Sequence, residues 1–340
     1  SFPTRRSSDL IVRMEVIRAA GFLRMQKIAP KLQALVQSDK TMIEERHAAI
    51  EALIHIYDSM GAEEIARLSR SNRAGLRHLA CSVAAHFEVA QAKSDILALL
   101  ADAHPDVRVA ALNALGLFYR KLMKPEEMRE VLTSRLEENH PQVAVTAAWV
   151  ATLIDPSLGK SVLEKWLEDP IADHRRFAAA ALAATGERGA DIAVSVLQKS
   201  SDPYVRANIA LGLIGQRREV KASCDCIYEF LSTEKRMWMW DNRMNPLFQT
   251  LSPSQVRHID QIPNYPEAID QMTRLTLVSL LAMVEDPRAI DALKGFLKLK
   301  KWNITGVAAA TLLQEGDESC LEIVRQLLED SDPQVRLQAC

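Results

Sequence analysis

Histidine and cysteine are the residue types in this sequence that could bind a metal ion or take part in acid–base and nucleophilic chemistry. The eight histidines are His47, His55, His78, His86, His104, His140, His174 and His258. The pairs His47/His55 and His78/His86 are each eight residues apart, about two helical turns, which is too far for one metal ion without a third ligand. Cys224 and Cys226 add two thiolates, which do not complete a tetrahedral zinc site. These residues therefore favour structural roles, and the sequence predicts no metal site and no cofactor.

The absence of sequence motifs of known enzyme classes likewise indicates that the chain has no catalytic site. The chain contains no G-x-x-x-x-G-K, no H-E-x-x-H and no G-x-S-x-G, the patterns of phosphate loops, zinc peptidases and serine hydrolases. No nucleophile lies beside a credible base in the sequence. We therefore predict no catalytic residues and a protein that is not an enzyme. A catalytic site assembled from distant residues stays open as an alternative.

A short phrase recurs along the chain and indicates how its helices are built. Pro is followed by Val two residues later, Arg three later and a small or apolar residue six later, at Pro105, Pro203 and Pro333. Pro141 starts a fourth copy, with Ala144 in the Arg position. Weaker copies have only the last two residues: Arg46/Ala49, Arg77/Ala80, Arg176/Ala179 and Arg274/Leu277. The copies recur about every 31 residues, which is typical of a helical repeat array.

Each copy follows a second amphipathic stretch, so the repeat unit is a pair of helices. Asp202 is placed to cap a helix and Pro203 suits its first position, while His104 and His140 precede Pro in an N-cap-like position. The composition, 48% hydrophobic but 5% aromatic, suits close-packed helices. We predict an all-α fold, a right-handed α-solenoid of about ten or eleven helix pairs. The second helices would line an extended concave surface.

The repeated phrase resembles the D-P-x-V-R-x-x-A pattern of HEAT-like repeats of the phycobilisome-lyase type. The resemblance covers roughly residues 11–340 and is clearest at 87–215 and 285–340. It implies a ladder between successive repeats, interrupted at Ala144. Its members here would be Asp202, Arg206, Asp332, Arg336, Arg108 and Arg176. A di-iron hydroxylase relative uses His-Glu dipeptides, which this chain lacks, and nothing local marks the tetrapyrrole pocket of a chromophore lyase.

Residues 232–268 interrupt the repeat with clustered Trp, Met and Pro. A divergent repeat unit near residue 240, with Arg243 in the Arg position, would keep the count. On a helix, Trp238 and Trp240 would be about 200° apart, so either one is exposed or the segment is not helical. The large side chains either fill a wide gap between helices or form a partner-binding patch. The patch residues would be Arg236, Met237, Trp238, Met239, Trp240 and Arg243.

The charge of the chain bears on the kind of partner, and its two ends bear on the bounds of the repeat array. The net charge is −2, so we expect another protein as the partner. Nucleic-acid backbone binding is the alternative, through basic residues such as Arg217, Arg218 and Arg257. Five scattered cysteines indicate reduced thiols and a cytoplasmic location, and no apolar run reaches the roughly 20 residues of a membrane span. Residues 1–10 resemble a translated sequencing adapter rather than a native Arg/Ser-rich tail, so we expect a single solenoid over 11–340, truncated at both ends.

Overall fold

The structure is a computed structural model that describes residues 5–38, 40–56, 58–233, 238–253, 265–297, 302–314 and 320–339. The described residues form nineteen α-helices and one two-stranded sheet. The first ten helices are α1 (Arg5–Phe22), α2 (Ala29–Gln37), α3 (Ile43–Ile56), α4 (Asp58–Ser69), α5 (Ala74–His86), α6 (Lys93–Ala98), α7 (Pro105–Leu117), α8 (Pro125–Leu136), α9 (Pro141–Ile154) and α10 (Pro156–Leu167). None of the described helices is long and apolar enough to cross a membrane.

The second half of the chain contains nine helices and the sheet. The helices are α11 (Ala172–Ala183), α12 (Ala190–Lys199), α13 (Pro203–Gly215), α14 (Val220–Thr233), α15 (Tyr265–Ala282), α16 (Pro287–Leu297), α17 (Trp302–Gln314), α18 (Cys320–Leu328) and α19 (Pro333–Ala339). The strands are β1 (Trp238–Asp241) and β2 (Thr250–Pro253), paired antiparallel. Both strands lie between α14 and α15 in the chain.

The chain divides into two compact units, an N-terminal unit (Ser1–Val162) and a C-terminal unit (Leu163–Cys340). In the N-terminal unit, α2, α4 and α8 pack on the helices that follow them, and α1 packs on α3, α5 on α7, and α7 on α9. In the C-terminal unit, α11 packs on α13, α15 on α17, and α17 on α19. Each repeat therefore has a first and a second helix, and second helices pack on one another. The predicted all-α repeat of helix pairs is confirmed.

Close packing of the second helices depends on small side chains at their contacts. A β-carbon added to Gly116 of α7 would lie 2.3 Å from the ring of Trp149 on α9. One added to Gly212 of α13 would lie 2.5 Å from the Cβ of Ala183 on α11. A larger residue at either position would force the two helices apart, and overpacking of this kind costs about 1–3 kcal/mol.

The starts of the second helices follow the repeated phrase only in part. Asp202 caps α13, since its carboxylate accepts from the N–H groups of Tyr204 at 3.0 Å and Val205 at 3.3 Å. His104 and His140 stand at the N-cap positions of α7 and α9, but their side chains make no capping hydrogen bond. The predicted Pro starts are confirmed, whereas a capping role of the two histidine side chains is wrong.

An arginine at the fourth position of a second helix ties that helix to the turn before it. Arg108 donates to the carbonyls of Asp102 at 2.7 Å and Ala103 at 3.2 Å. Arg175 and Arg336 make the same pair of bonds to the carbonyls five and six residues earlier. Arg77 donates to the carbonyl six residues earlier, at 2.8 Å. We call this contact the turn lock, and it holds the two helices of one repeat together.

A different arginine contact identifies the irregular repeat. Arg274 of α15 donates to the carbonyl of Leu231, near the end of α14, at 2.5 Å although the two residues are 43 apart. Helices α14 and α15 are therefore one repeat with a long insertion between them. The expected divergent unit near residue 240 is wrong, because the chain there forms a hairpin, and Arg243 lies in its loop. The described helices make nine pairs plus α1, or ten units if α1 is counted as a second helix.

The predicted bounds of the repeat array begin after residue 10. α1 begins at Arg5, within the stretch that resembles an adapter, and the origin of residues 1–10 stays a prediction. The single array over 11–340 and its right-handed sense also stay predictions.

Candidate partner-binding site

The hairpin of β1 and β2 has a register that sets the direction of its large side chains. Trp238 pairs with Pro253, and Trp240 pairs with Leu251. Because successive side chains of a strand point to opposite faces, Trp238 and Trp240 lie on one face and Met239 on the other. Met239 is 39% exposed, whereas Trp238 is 1% exposed.

Trp238 anchors the hairpin to the helices instead of facing solvent. Its ring packs edge-on against Phe230 of α14 at 5.3 Å, and Phe230 packs edge-on against Tyr204 of α13 at 5.1 Å. The guanidinium of Arg176 lies over the Tyr204 ring at 4.8 Å. The prediction that Trp238 contacts a partner is therefore wrong, because the strand directs this side chain into an aromatic cluster on α13 and α14.

Asn208 of α13 fixes β2 through its side-chain amide. Its Nδ2 donates to the carbonyl of Leu251 at 3.0 Å, and its Oδ1 accepts from the N–H of Leu251 at 2.8 Å. The residue is 3% exposed, so these bonds are shielded from water. Sequence reasoning missed Asn208, and its signal was a polar residue in an otherwise apolar stretch, ANIALGLIG.

The hairpin and the second helices enclose an apolar groove of about 200 Å³. β2 contacts both α11 and α13, and Phe248 from the hairpin loop packs on Phe177 of α11 at 5.8 Å. The groove is lined in part by Ala183, Leu211, Gly212, Trp240, Leu247 and Leu280. Leu247 at its margin is 38% exposed. Trp240, unlike Trp238, is thus in a position to contact a partner.

Charged groups at the end of the hairpin are neutralised locally. Arg243 donates to both oxygens of Asp241, at 2.6 Å for the shortest contact. This hydrogen bonding lowers the pKa of the Asp241 carboxyl. Arg236 and Met237 of the predicted patch lie outside the described residues. Of the predicted patch, Trp240 therefore lines the groove beside Leu247, Met239 lies on the opposite face of the strand, and Arg243 forms an ion pair at the end of the hairpin.

The ladder between repeats exists, with one register error in our prediction. Arg77 pairs with Asp102 at 2.5 Å, and Arg108 pairs with Glu138 at 2.9 Å. In the C-terminal unit the ladder residue is Arg175, which pairs with Asp202 at 2.8 Å. Arg176 instead pairs within its own helix and covers Tyr204, so its assignment to the ladder is wrong.

One further predicted ladder position holds, whereas the ladder roles of Arg336 and Asp332 stay predictions. Arg206 reaches Glu229 of α14 at 2.9 Å. Arg336 donates to the carbonyls of Asp330 and Ser331 as a turn lock, beside Asp332 at the start of α19. Ala144, in the Arg position of α9, is fully buried and has no cationic group to continue the ladder.

The histidine and cysteine candidates do not converge on a site. Burial raises the pKa of Cys224 and of Cys226 to about 11 in each case, which keeps both thiols protonated near neutral pH. The His47 and His86 rings lie 6.2 Å apart, and burial lowers the pKa of His47. Among the described residues, no group of three or more His, Cys, Asp or Glu is placed to hold a metal ion.

Comparison with known proteins shows that part of the chain is similar to one protein family. Residues 129–214 match the family described as HEAT repeats. This part of the chain consists of HEAT repeats. A solved structure of human deoxyhypusine hydroxylase in complex with glycerol is similar, with 17% sequence identity, coverage of 91% of this chain and 99% of that chain, and a TM-score of 0.33. No curated protein matches the sequence.

The HEAT match and the hairpin occupy different parts of the chain. The matched residues end within α13, and β1 begins later, at Trp238. The regular HEAT-like repeats thus supply α11 and α13, on which the hairpin rests. The hairpin itself is an addition to one repeat.

Proposed function

We propose that this HEAT-like repeat protein is a non-enzymatic scaffold that binds another protein, and that the apolar groove beside the hairpin is a binding site. HEAT-like repeats present a series of second helices on which a long partner can lie. In the C-terminal unit this surface carries an exposed aliphatic side chain, Leu247, and a partly exposed Trp240. Tryptophan is typical of the centre of protein interfaces.

The observation that carries the proposal is the hydrogen bond from Arg274 to the carbonyl of Leu231. Its bond to Leu231 joins α15 directly to α14, whereas the turn locks of regular repeats bond the short turn between their helices. The inserted hairpin is therefore not needed to join α14 to α15. A segment that is not needed for closure, yet presents apolar side chains beside a groove, fits a role in recognition.

A protein partner fits this surface better than a nucleic acid. Binding to phosphates requires cationic side chains that are free to face them. Arg243 is bound to Asp241, and Arg218 is bound to Asp191 at 2.8 Å. Of the other two basic candidates, Arg217 is exposed and Arg257 lies outside the described residues. The groove offers apolar contact area, which suits an aliphatic or aromatic side chain of a protein.

Site-specific photo-crosslinking tests the proposal. Gln249, an exposed residue that lines the groove, is replaced by p-benzoylphenylalanine, and Leu117, 46% exposed on α7, is replaced in a control chain. We expect protein adducts that are specific to position 249 and that decrease when Trp240→Ala is added. The same adducts from both positions would contradict the proposed site. Adducts with nucleic acid at position 249 would favour the alternative partner.

A further inference from the structure

The register of the hairpin determines which main-chain groups of β1 point away from β2. Leu251 directs both its N–H and its C=O to Asn208. Residues that face each other in an antiparallel ladder either exchange two hydrogen bonds or none, in alternation. The pair of Trp240 and Leu251 therefore exchanges none, and the N–H and C=O of Trp240 point to the outer side of β1.

The two outer edges of the hairpin differ in how these groups are satisfied. At β2, the amide of Asn208 takes the place of a neighbouring strand. At β1, no hydrogen bond to the N–H or C=O of Trp240 lies within the part of the chain that the structure describes. An unpaired strand edge is a template for pairing with another extended segment.

Apolar contact area lies beside this edge. The side chain of Trp240 lines the groove together with Leu280 of α15, and β1 contacts α15. Within β1, outward main-chain groups occur at Trp238 and Trp240, so strand pairing would supply few hydrogen bonds. Most of the affinity would have to come from an apolar side chain placed in the groove.

We propose that the outer edge of β1 is a β-augmentation site for an extended segment of a protein partner. The segment adds as a third strand beside Trp240, accepts from and donates to its main chain, and inserts an aliphatic or aromatic side chain into the groove. This inference rests on the proposed function, because it specifies the kind of partner that the groove binds.

The test uses the full chain and a phage-displayed library of random dodecapeptides as the probe. Trp240→Pro removes the outward N–H without removing a bond between β1 and β2. Trp240→Val is the matched control, since it also loses the indole but keeps the N–H and suits a strand. We expect the selected peptides to bind the Pro variant about tenfold more weakly than the Val variant, the effect of about one main-chain hydrogen bond.

Hydrogen exchange on the wild-type chain gives a second measurement that does not depend on the folding of the Pro variant. We expect a bound peptide to protect the Trp240 amide and to leave the amide of Met239, already within the ladder, unchanged. Equal affinity for both variants without protection of Trp240 would overturn the edge proposal, and so would a library that yields no binding peptide.

Leu247→Asp separates failure of the edge from failure of the groove. Peptides that lose affinity for Leu247→Asp, but bind the Pro and Val variants equally, would refute strand pairing and leave the proposed function intact. Peptides that bind all three variants as they bind the wild type would refute both.

Discussion

Replacement of Asn208 by Ala is the most direct perturbation of the hairpin. The wild-type amide makes two hydrogen bonds to the main chain of Leu251 and a third to the carbonyl of Tyr204, at 2.8 Å. Asn208 is 3% exposed and Leu251 is fully buried. Water therefore cannot replace the lost amide unless the hairpin moves away from α13.

The size of the destabilisation follows from the N–H and the C=O of Leu251, which both lose their partner. A buried N–H or C=O without a partner costs about 1–3 kcal/mol, so keeping Leu251 in place would cost roughly 2–6 kcal/mol. Release of the hairpin would instead expose Leu251 and Phe248, and the burial of each contributes about 1.5–3 kcal/mol. Both routes weaken the docking of the hairpin by at least about 2 kcal/mol, which is about thirtyfold in its opening equilibrium.

Hydrogen exchange followed by mass spectrometry measures this opening in a peptide that contains β2. We expect exchange about thirtyfold faster in Asn208→Ala under conditions in which the exchange rate is proportional to the opening equilibrium constant. Thr311→Ala is the control, because Thr311 is a buried polar residue of α17 that bonds the carbonyl of Val307. Unchanged exchange of β2 in Asn208→Ala, or an equal increase in the control, would refute the role assigned to the amide.

Three further predictions concern burial and charge. Trp238→Ala should lower the free energy of unfolding by about 3–5 kcal/mol in urea titrations, whereas Met239→Ala should change it by less than about 0.5 kcal/mol. Arg77 lowers the pKa of the Asp102 carboxyl; this stabilisation is present above about pH 4 and is lost as pH falls through the lowered pKa. The difference in urea midpoint between wild type and Arg77→Met should therefore shrink below about pH 4. Cys224, whose pKa burial raises to about 11, should react with a thiol reagent at pH 8 only after denaturation.

Local rules predicted the regular repeats well because each repeat satisfies its own contacts. Pro at the first position, Arg at the fourth and small residues on the contact face lie within one turn or two of each other in the sequence. The error at Arg176 has a local cause as well. α11 begins at Ala172 without Pro at its first position, and the run of alanines after Phe177 gives no register. Either neighbouring arginine therefore fitted the pattern.

The hairpin could not be predicted from local rules because its determinants are distant in the chain. Asn208 bonds a residue 43 positions later, and Trp238 is buried by Phe230 and the helices around it. The four residues of β1 also carry too short an alternation to distinguish a strand from one turn of a helix. The spacing of the two tryptophans left open whether this segment is helical. Only the register of the strand shows that their side chains share a face.

The long insertion is compatible with a stable repeat because of the position at which it enters. Lengthening a connection from a few residues to about thirty costs roughly 2 kcal/mol in closure entropy, since each doubling adds about 0.6 kcal/mol. That is similar to what burial of one large side chain contributes, and the hairpin buries Trp238, Phe248 and Leu251. The hydrogen bond from Arg274 to Leu231 joins α14 and α15 in either case. The inward side chains of the hairpin thus account for its docking, and the hairpin does not depend on Met239 for that docking.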